Sequence, residues 1–313
     1  MQTVEWLRQH IKEQPFTMNE LYSVLEISKQ AHWKMVKKFT QQNELKRILI
    51  QNIMQIRSIH PKMGAKKIYS ILDPEGIGRD TFIDIYVNAG FQVVSERNYR
   101  KTTHSLPHLK YSNLASGMVL NDINQVWTSD ITYLQIGEKE FLYIVLIIDV
   151  YSRRILGFNA SADLRAQSNI KALKMVLRDR EIERYKYLIH HSDRGVQYTS
   201  KTYTDLLESY NIKISMCESV YENTHIERVN GTIKNEYLCN FRIKNLTQCQ
   251  RTLKKAVYAY NNGRPHEKLD FKTPVGFENN LSEIPLSSRP LVNIYSDQNR
   301  KLKSNVNQGT LFF

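Results

Sequence analysis

The sequence predicts an α/β protein, a mixed five-stranded sheet with flanking helices, preceded by a helical region. Three observations carry that prediction. Three apolar runs follow one another with short joins between Val126 and Ala160. From Arg165 to Asn240, helix-like and strand-like segments alternate. Upstream, residues 1–58 place their apolar side chains at helical spacing.

Glu20–Lys29 is periodic as a helix, and Leu45–Ile59 is strongly apolar on one face until His60-Pro61 ends it. Residues 62–90 read as helix, turn, helix. Ala65–Leu72 is short and amphipathic, and Asp73–Gly78 carries Pro74, Gly76 and Gly78, a turn composition. Asp80 is placed to cap a helix to about Asn88, which Gly90 stops. A helix-turn-helix would set that second helix in a major groove. Arg79 is offset there by Asp80 and Asp84, so an ordinary helical bundle is the alternative. Ser95–Met118 is polar and basic, with Arg97, Arg100, Lys101 and Lys110, and reads as a linker lying along DNA.

From Asn124 the character changes. Val126–Ile136, Phe141–Val150 and Arg154–Ala160 are predicted strands, the first two joined by a turn at Gly137–Glu140, and they suggest an antiparallel meander. Then come a helix over Arg165–Arg180, a strand over Tyr187–His190, a helix over Lys201–Tyr210, a strand over Ile212–Met216 and a helix over Thr224–Asn240. The order βββαβαβα is ribonuclease-H-like. The expected organisation is a helical region at 1–57, a helix-turn-helix-like DNA-binding region at 58–94, a basic linker at 95–120, a catalytic core at 121–240, a basic helical extension at 241–285 and a tail at 286–313.

Composition narrows the class. The 313 residues are 41% hydrophobic and 24% charged, an ordinary globular balance. Basic residues number 44 against 31 acidic, a net charge of +13 that points to a polyanionic partner. The excess sits in the flanks: +7 over residues 1–110, −1 over 111–240 and +7 over 241–313. Cys217, Cys239 and Cys249 form no C-x-x-C pair, and no disulfide framework is expected. The longest apolar run, Phe141–Ile148, is too short to span a bilayer. The N-terminus carries Glu5, Arg8 and Lys12 and does not read as a signal peptide. A cytoplasmic, nucleoid-associated protein without a membrane partner is expected.

Three carboxylates stand out. Asp130 lies mid-strand, where burial is costly without a partner or a metal. Asp193 follows the fourth strand, and strand C-termini are where open α/β sheets place their sites. Glu227 lies near the start of the last helix of the core, with Glu222 as its rival. Converging carboxylates suit phosphodiester chemistry, in which two Mg²⁺ ions about 3.5–4 Å apart stabilise the attacking and leaving oxygens. Lys234 is seven residues after Glu227 and shares its helix face, beside the expected DNA. Glu236 falls on the opposite face, a poor ligand but a partner for a basic neighbour. Asp149 reads as structural, and Asp163 and Asp205 as helix-start or exposed residues. Of His190 and His191, adjacent on a strand, one is expected in the core and the other beside the ligands.

These residues resemble a known family, the second-frame catalytic proteins of IS-three family insertion-sequence transposases, whose Asp-Asp-Glu core is similar to that of retroviral integrases. Trp127-Thr-Ser-Asp130-Ile-Thr-Tyr133, Asp149-Val-Tyr-Ser-Arg-Arg-Ile-Leu-Gly157 and His191-Ser-Asp193-Arg-Gly-Val-Gln-Tyr198 resemble its first blocks. Glu227 with Ile233-Lys234 and Glu236 resembles the third catalytic block, and Tyr260-Asn-Asn-Gly-Arg264-Pro-His266-Glu-Lys-Leu269 the C-terminal one. Residues 58–93 resemble its second helix-turn-helix. The resemblance covers roughly residues 20–280. Departures are a slightly shortened Asp193–Glu227 spacing, Glu222-Asn223 where Asp-Asn is usual, and Arg228 where a small residue is common.

The resemblance implies a Mg²⁺-dependent DNA strand transferase, with Mn²⁺ able to substitute. It implies that Asp130, Asp193 and Glu227 are catalytic metal ligands, supported by His191 and Glu236. A family member cuts the 3′ ends of its own element and attacks another phosphodiester with the freed 3′-OH, without a covalent protein–DNA intermediate. The implied partners are the element's terminal inverted repeats, target DNA, further copies of the chain on DNA, and a first-frame product as fusion or partner. Expected DNA contacts are Lys234, Arg264, His266, Lys66, Lys67, Arg79, Arg97, Arg100 and Lys101. The alternative is a non-catalytic DNA-binding regulator of transposition, which loss of any of the three carboxylates would have favoured.

Overall fold

The computed structural model describes residues 6, 8, 10–13, 15–93, 111–180, 187–217 and 223–294. The chain forms two compact units, one of residues 1–58 with 72–92 and one of 59–71 with 93–313.

In the first unit, α1 (Met18–Val24) opens on a capping box in which Thr17 and Glu20 satisfy each other's backbone N–H groups. The helix stops well before Lys29 because Glu26 turns left-handed, with φ 52°. A second helix, α2, then runs unbroken from Lys29 to Ile59, stopping just before His60-Pro61 as the sequence predicts. The segment read as helix, turn, helix contains α3 (Ala65–Leu72) and α4 (Arg79–Asn88). They fall in different units, α4 in the first and nearly all of α3 in the second. Asp80 does not cap α4. Gly78 is the N-cap and Asp80 lies in the first turn, where its charge still suits the helix dipole. Within this unit Arg57 hydrogen-bonds the Tyr86 hydroxyl at 2.9 Å.

The second unit is built on a five-stranded sheet of β2 (Val126–Gln135), β3 (Phe141–Asp149), β4 (Ile155–Ser161), β5 (Ile189–Ser192) and β6 (Lys213–Met216), numbered after a short strand β1 (Val119–Leu120). Its order is β4-β3-β2-β5-β6. The first three strands form the predicted antiparallel meander, and β5 and β6 add in parallel on the other side of β2. This is the ribonuclease-H-like topology expected from the sequence. The β5 strand starts two residues later than predicted, which brings both histidines and Ser192 into the ladder.

Helices cover both faces. Helices α5 (Ala166–Asp179) and α6 (Lys201–Ser209) pack on one side, with Leu173, Val176, Tyr203 and Leu207 against Trp127, Val145 and Ile147. Helices α7 (Thr224–Thr232) and α8 (Leu246–Gly263) pack on the other, with Ile226, Val229, Leu253 and Tyr260 against Leu142, Ile144, Leu146 and Ile148. That explains why β3 is apolar from Phe141 to Ile148: its even and odd residues enter different cores. Gly157 permits the closest of these approaches, since a Cβ there would fall 2.3 Å from the Ala172 carbonyl oxygen of α5.

The predicted helix over Thr224–Asn240 is interrupted. After α7 the chain makes a π turn over Ile233–Tyr237 and a 3₁₀ turn over Leu238–Asn240. The Asn240 amide donates to the Glu236 carbonyl at 2.9 Å, satisfying a group the widened turn frees. Further on, α9 (Pro274–Leu281) inserts Glu278 into the sheet's margin, where it accepts from Ser152 at 2.7 Å, Arg180 at 2.7 Å, and Arg154. The last described strand, β7 (Val292–Asn293), returns to pair with β1. Among the described residues no helix is long and apolar enough to cross a membrane.

Candidate active site

The β2–β5 ladder ends at Ser129↔Ser192. Asp130 is the next residue of β2, and Asp193 is the first residue past the end of β5. Neighbouring strands lie about 4.8 Å apart, so carboxylates 63 positions apart in sequence emerge side by side. Asp130 remains paired to Leu146 of β3 on its other flank, while Asp193 leaves the sheet into a turn. There its Oδ1 accepts from the Gly195 N–H at 3.0 Å. The loop folds back through Tyr198, whose hydroxyl lies 2.9 Å from Ser129 Oγ beneath the site.

Helix α7 lies across this pair and is tied to β2 at two points. At its N-cap, Asn223 accepts from the Thr128 hydroxyl and donates to the Ser129 carbonyl at 3.4 Å. Two turns along, Asn230 Nδ2 donates to Asp130 Oδ2 at 2.8 Å. Asn230 is 4% exposed, and its amide oxygen has no hydrogen-bond partner among the described residues. Glu227, three residues earlier, is exposed.

The electrostatics follow. Burial, then repulsion from Asp193, pushes the Asp130 carboxyl up to about 7, with a smaller contribution from Glu227, against the hydrogen bond from Asn230. Burial also raises Asp193, opposed by the Gly195 N–H, and raises Glu227. Two adjacent carboxylates that resist joint ionisation form a natural seat for a hard divalent cation, which oxygen donors suit. The donor set fits: two paired carboxylates, the orphaned Asn230 oxygen beside them, and Glu227 on the same helix. Among the described residues no three His, Cys, Asp or Glu side chains stand close enough to enclose an ion, so Glu227 does not close the set.

The other residues singled out in the sequence fall into distinct places. His190 and His191 are both buried, bonded to Tyr203 at 3.0 Å and to Ser215 at 2.8 Å respectively, with Cys217 Sγ 3.1 Å from His191. Asp149 is buried and accepts backbone N–H bonds from Asn124 and Ser152, each 2.7 Å, the structural role expected of it. Asp163 accepts from the Arg165 N–H at the start of α5, and Asp205 is exposed. The Lys234 ammonium lies 4.4 Å from the centre of the Tyr133 ring. Glu236 takes both arms of the Arg264 guanidinium, at 2.8 and 2.6 Å, so Arg264, read from the sequence as a DNA contact, is 5% exposed and turned inward. His266 is half-buried beside it. Of the remaining cations, Lys66 is exposed, Lys67 half-buried and Arg79 exposed against Asp80. Arg97, Arg100, Lys101 and the rival ligand Glu222 lie outside the described residues.

Sequence reasoning missed Asn223 and Asn230. A neutral amide carries no charge signal, but Asn230 stands one helical turn after Glu227, an offset that places it toward the same strand.

The integrase core domain family matches residues 121–221, and a second integrase core domain family matches 208–274. The insertion element IS600 uncharacterized 31 kDa protein of Shigella sonnei is 30% identical over 228 residues, covering 71% of this chain and 83% of that protein. The chain belongs to the IS-three family of insertion-sequence transposases. Transposase InsF for insertion sequence IS3A of Escherichia coli (strain K12) is 31% identical over 179 residues, 56% of this chain and 61% of that protein. Among solved structures, a simian T-cell lymphotropic virus intasome in complex with PP2A regulatory subunit B56 gamma is 16% identical with a TM-score of 0.46, covering 72% of this chain and 71% of that one. The HTLV-2 integrase catalytic core domain in complex with magnesium is 21% identical with a TM-score of 0.40, covering 50% and 97%. As a member of the IS-three family, the transposase is a DDE-type polynucleotidyl transferase.

Proposed function

We propose that this transposase cleaves the 3′ ends of its insertion sequence and joins the freed 3′-OH to a second DNA phosphodiester, with Asp130, Asp193 and Glu227 as ligands for two Mg²⁺ ions that Mn²⁺ replaces. The observation that carries this reading is the side-by-side placement of Asp130 and Asp193 just past Ser129↔Ser192, with Asp130 pushed up by burial and then by its neighbour. Bound divalent cations supply charge neutralisation at the attacking and leaving oxygens of an in-line displacement. The chain's own groups do the positioning. The β2–β5 ladder fixes the two aspartates, and Asn230 orients one Asp130 oxygen. Glu227, on the exposed side of α7, is the donor nearest to solvent and to entering DNA. Lys234, seven residues on and inside the π turn, supplies a cation to a phosphate beside the carboxylates.

The DNA partners in this reading are the terminal inverted repeats and the target duplex, engaged by more than one copy of the chain. The first-frame product acts as a fused or separate partner, and the protein works in the cytoplasm on nucleoid DNA. The test is incubation of the full chain with element-end duplex and Mg²⁺, resolving 3′-nicked and joined strands. Both products are expected. Specific binding of the ends without nicking in either Mg²⁺ or Mn²⁺ would overturn the catalytic assignment in favour of a regulator.

A further inference from the structure

Helix α8 has two unlike faces. One enters the core through Cys249, Leu253, Ala256, Val257 and Tyr260. On the other, Arg251, Lys255, Tyr258 and Asn262 follow at i, i+4, i+7 and i+11. At 100° per residue these four fall within about 60° of one another, and Lys254 flanks them. All five are exposed, Tyr258 by 70%. The 30 residues from 237 to 266 contain no Asp or Glu.

What sets this face apart is its charge, three cations with no acid among them. Four exposed arginines elsewhere sit against a nearby acid, Arg47 on Glu44, Arg79 on Asp80, Arg165 on Asp163 and Arg178 on Asp179, while Arg228 and Arg242 are exposed without one among the described residues. Among the described residues, Arg251, Lys254 and Lys255 have no carboxylate within ion-pair distance. A solvated helix face of mixed charge would not show this bias. The face is too polar for an apolar partner, and a two-fold contact between copies would set like charges together. Its complement is a polyanion of regular spacing. The rise from Arg251 to Asn262 is about 16 Å, or about five nucleotide steps of 3.4 Å.

We propose that the exposed face of α8 binds the phosphate backbone of duplex DNA, a surface distinct from the carboxylate site. The inference rests on the chain being a DNA-acting protein and names where, outside that site, the duplex is held. Lys and Arg supply point charges to phosphates, and Tyr258 offers an aromatic hydroxyl to the same backbone. The buried face keeps the row rigid.

The test measures binding of the full chain to a non-specific duplex over a series of salt concentrations. The triple variant Arg251→Gln/Lys254→Gln/Lys255→Gln should bind more weakly, with a log–log salt slope reduced by about 2–3, near 0.9 per lost phosphate contact. The pair Lys254→Arg/Lys255→Arg should keep the wild-type slope. Lys255→Glu alone should weaken binding more than Lys255→Gln, an ordering that survives any small loss of stability. A triple variant with wild-type slope and affinity overturns the proposal. So does one whose only change is its sedimentation without DNA, which would make the face a contact between copies. Wild-type protein that binds duplex but never nicks element ends would defeat the catalytic reading and leave this one standing.

Discussion

Asn230 of α7 donates a 2.8 Å hydrogen bond to Asp130 of β2 and so fixes one oxygen of the most perturbed carboxylate in the site. Without that donor the Ile131 N–H alone would hold the Asp130 carboxylate beside Asp193. Asn230→Ala should lower divalent-metal-dependent nicking by about 10–100-fold, the usual cost of losing a hydrogen bond to a ligand. End binding should persist. Asn230→Asp adds a third negative charge and should be worse than alanine at neutral pH. Nicking and end binding measured side by side check this, and an Asn230→Asp protein as active as wild type sinks it.

Asp130→Asn, Asp193→Asn and Glu227→Gln should each abolish cleavage while leaving DNA binding nearly intact. Each swap keeps shape and removes a ligand charge. Gel-shift and cleavage assays on one preparation decide the matter. Glu227 is the discriminating position because it stands apart from the paired aspartates. Full cleavage by Glu227→Gln with none by Glu222→Gln would move the third ligand.

Lys234→Ala should reduce joining by about tenfold, or about 1.4 kcal/mol, without changing metal affinity. The Tyr133 ring holds the ammonium in place, so Lys234→Arg should recover part of the activity and Tyr133→Leu should lose part. A change below about twofold in Lys234→Ala would mark it as an ordinary surface lysine.

Arg264, buried, and Glu236, half-buried, form a two-armed pair. Removing one partner strands the other, so Arg264→Ala should cost about 3–5 kcal/mol in urea unfolding. Arg264→Lys keeps the charge but not the fork and should fall between. A loss within about 0.5 kcal/mol for the alanine variant would show that the pair contributes nothing to stability.

Burial, followed by the charge of Arg264, depresses His60 to about 4, with Glu236 acting the other way; burial, Arg264, Lys67 and Arg153 depress His266 to about 3. Both fold neutral, and His60 Nδ1 lies 2.8 Å from the Tyr237 hydroxyl. An unfolded histidine titrates near 6.5, so between roughly pH 4 and 6.5 the unfolded chain binds protons that the folded chain refuses. Acidification through that window therefore removes stability. Buried carboxylates such as Asp149, pushed up to about 6, act in the opposite sense, so the readout is a difference. His60→Gln, which cannot titrate, should show a shallower fall in melting temperature from pH 7 to 5 than wild type. Identical falls would remove His60 from the account.

The sheet order was legible because hydrophobic patterning and short joins leave few topologies. Local geometry was less so. Residues 1–58 were read as helical, and Lys29–Ile59 is one unbroken helix, but nothing in the pattern marked Glu26 as the left-handed residue that separates it from the helix before it. The break after Thr232 has no proline or glycine within it to announce it. Around it, Tyr237 meets His60 and Glu236 meets Arg264, contacts between residues far apart in sequence. Within the site, Asp130 and Asp193 stood out as charges beside apolar runs, whereas Asn230 becomes visible only once its facing strand is known. Arg264 shows the converse limit. Counting charge treats every arginine as facing solvent, and this one is spent inside.

Val119 and Asn293 are paired partners on β1 and β7, so the two ends of the stretch that carries the five-stranded sheet lie next to each other. Proximity of this kind makes a fold indifferent to where its chain is opened. A circular permutant that bridges 294 to 118 and starts at the exposed Glu138–Glu140 turn would keep every strand neighbour, with Asp193 and Glu227 now preceding Asp130 in the reading order.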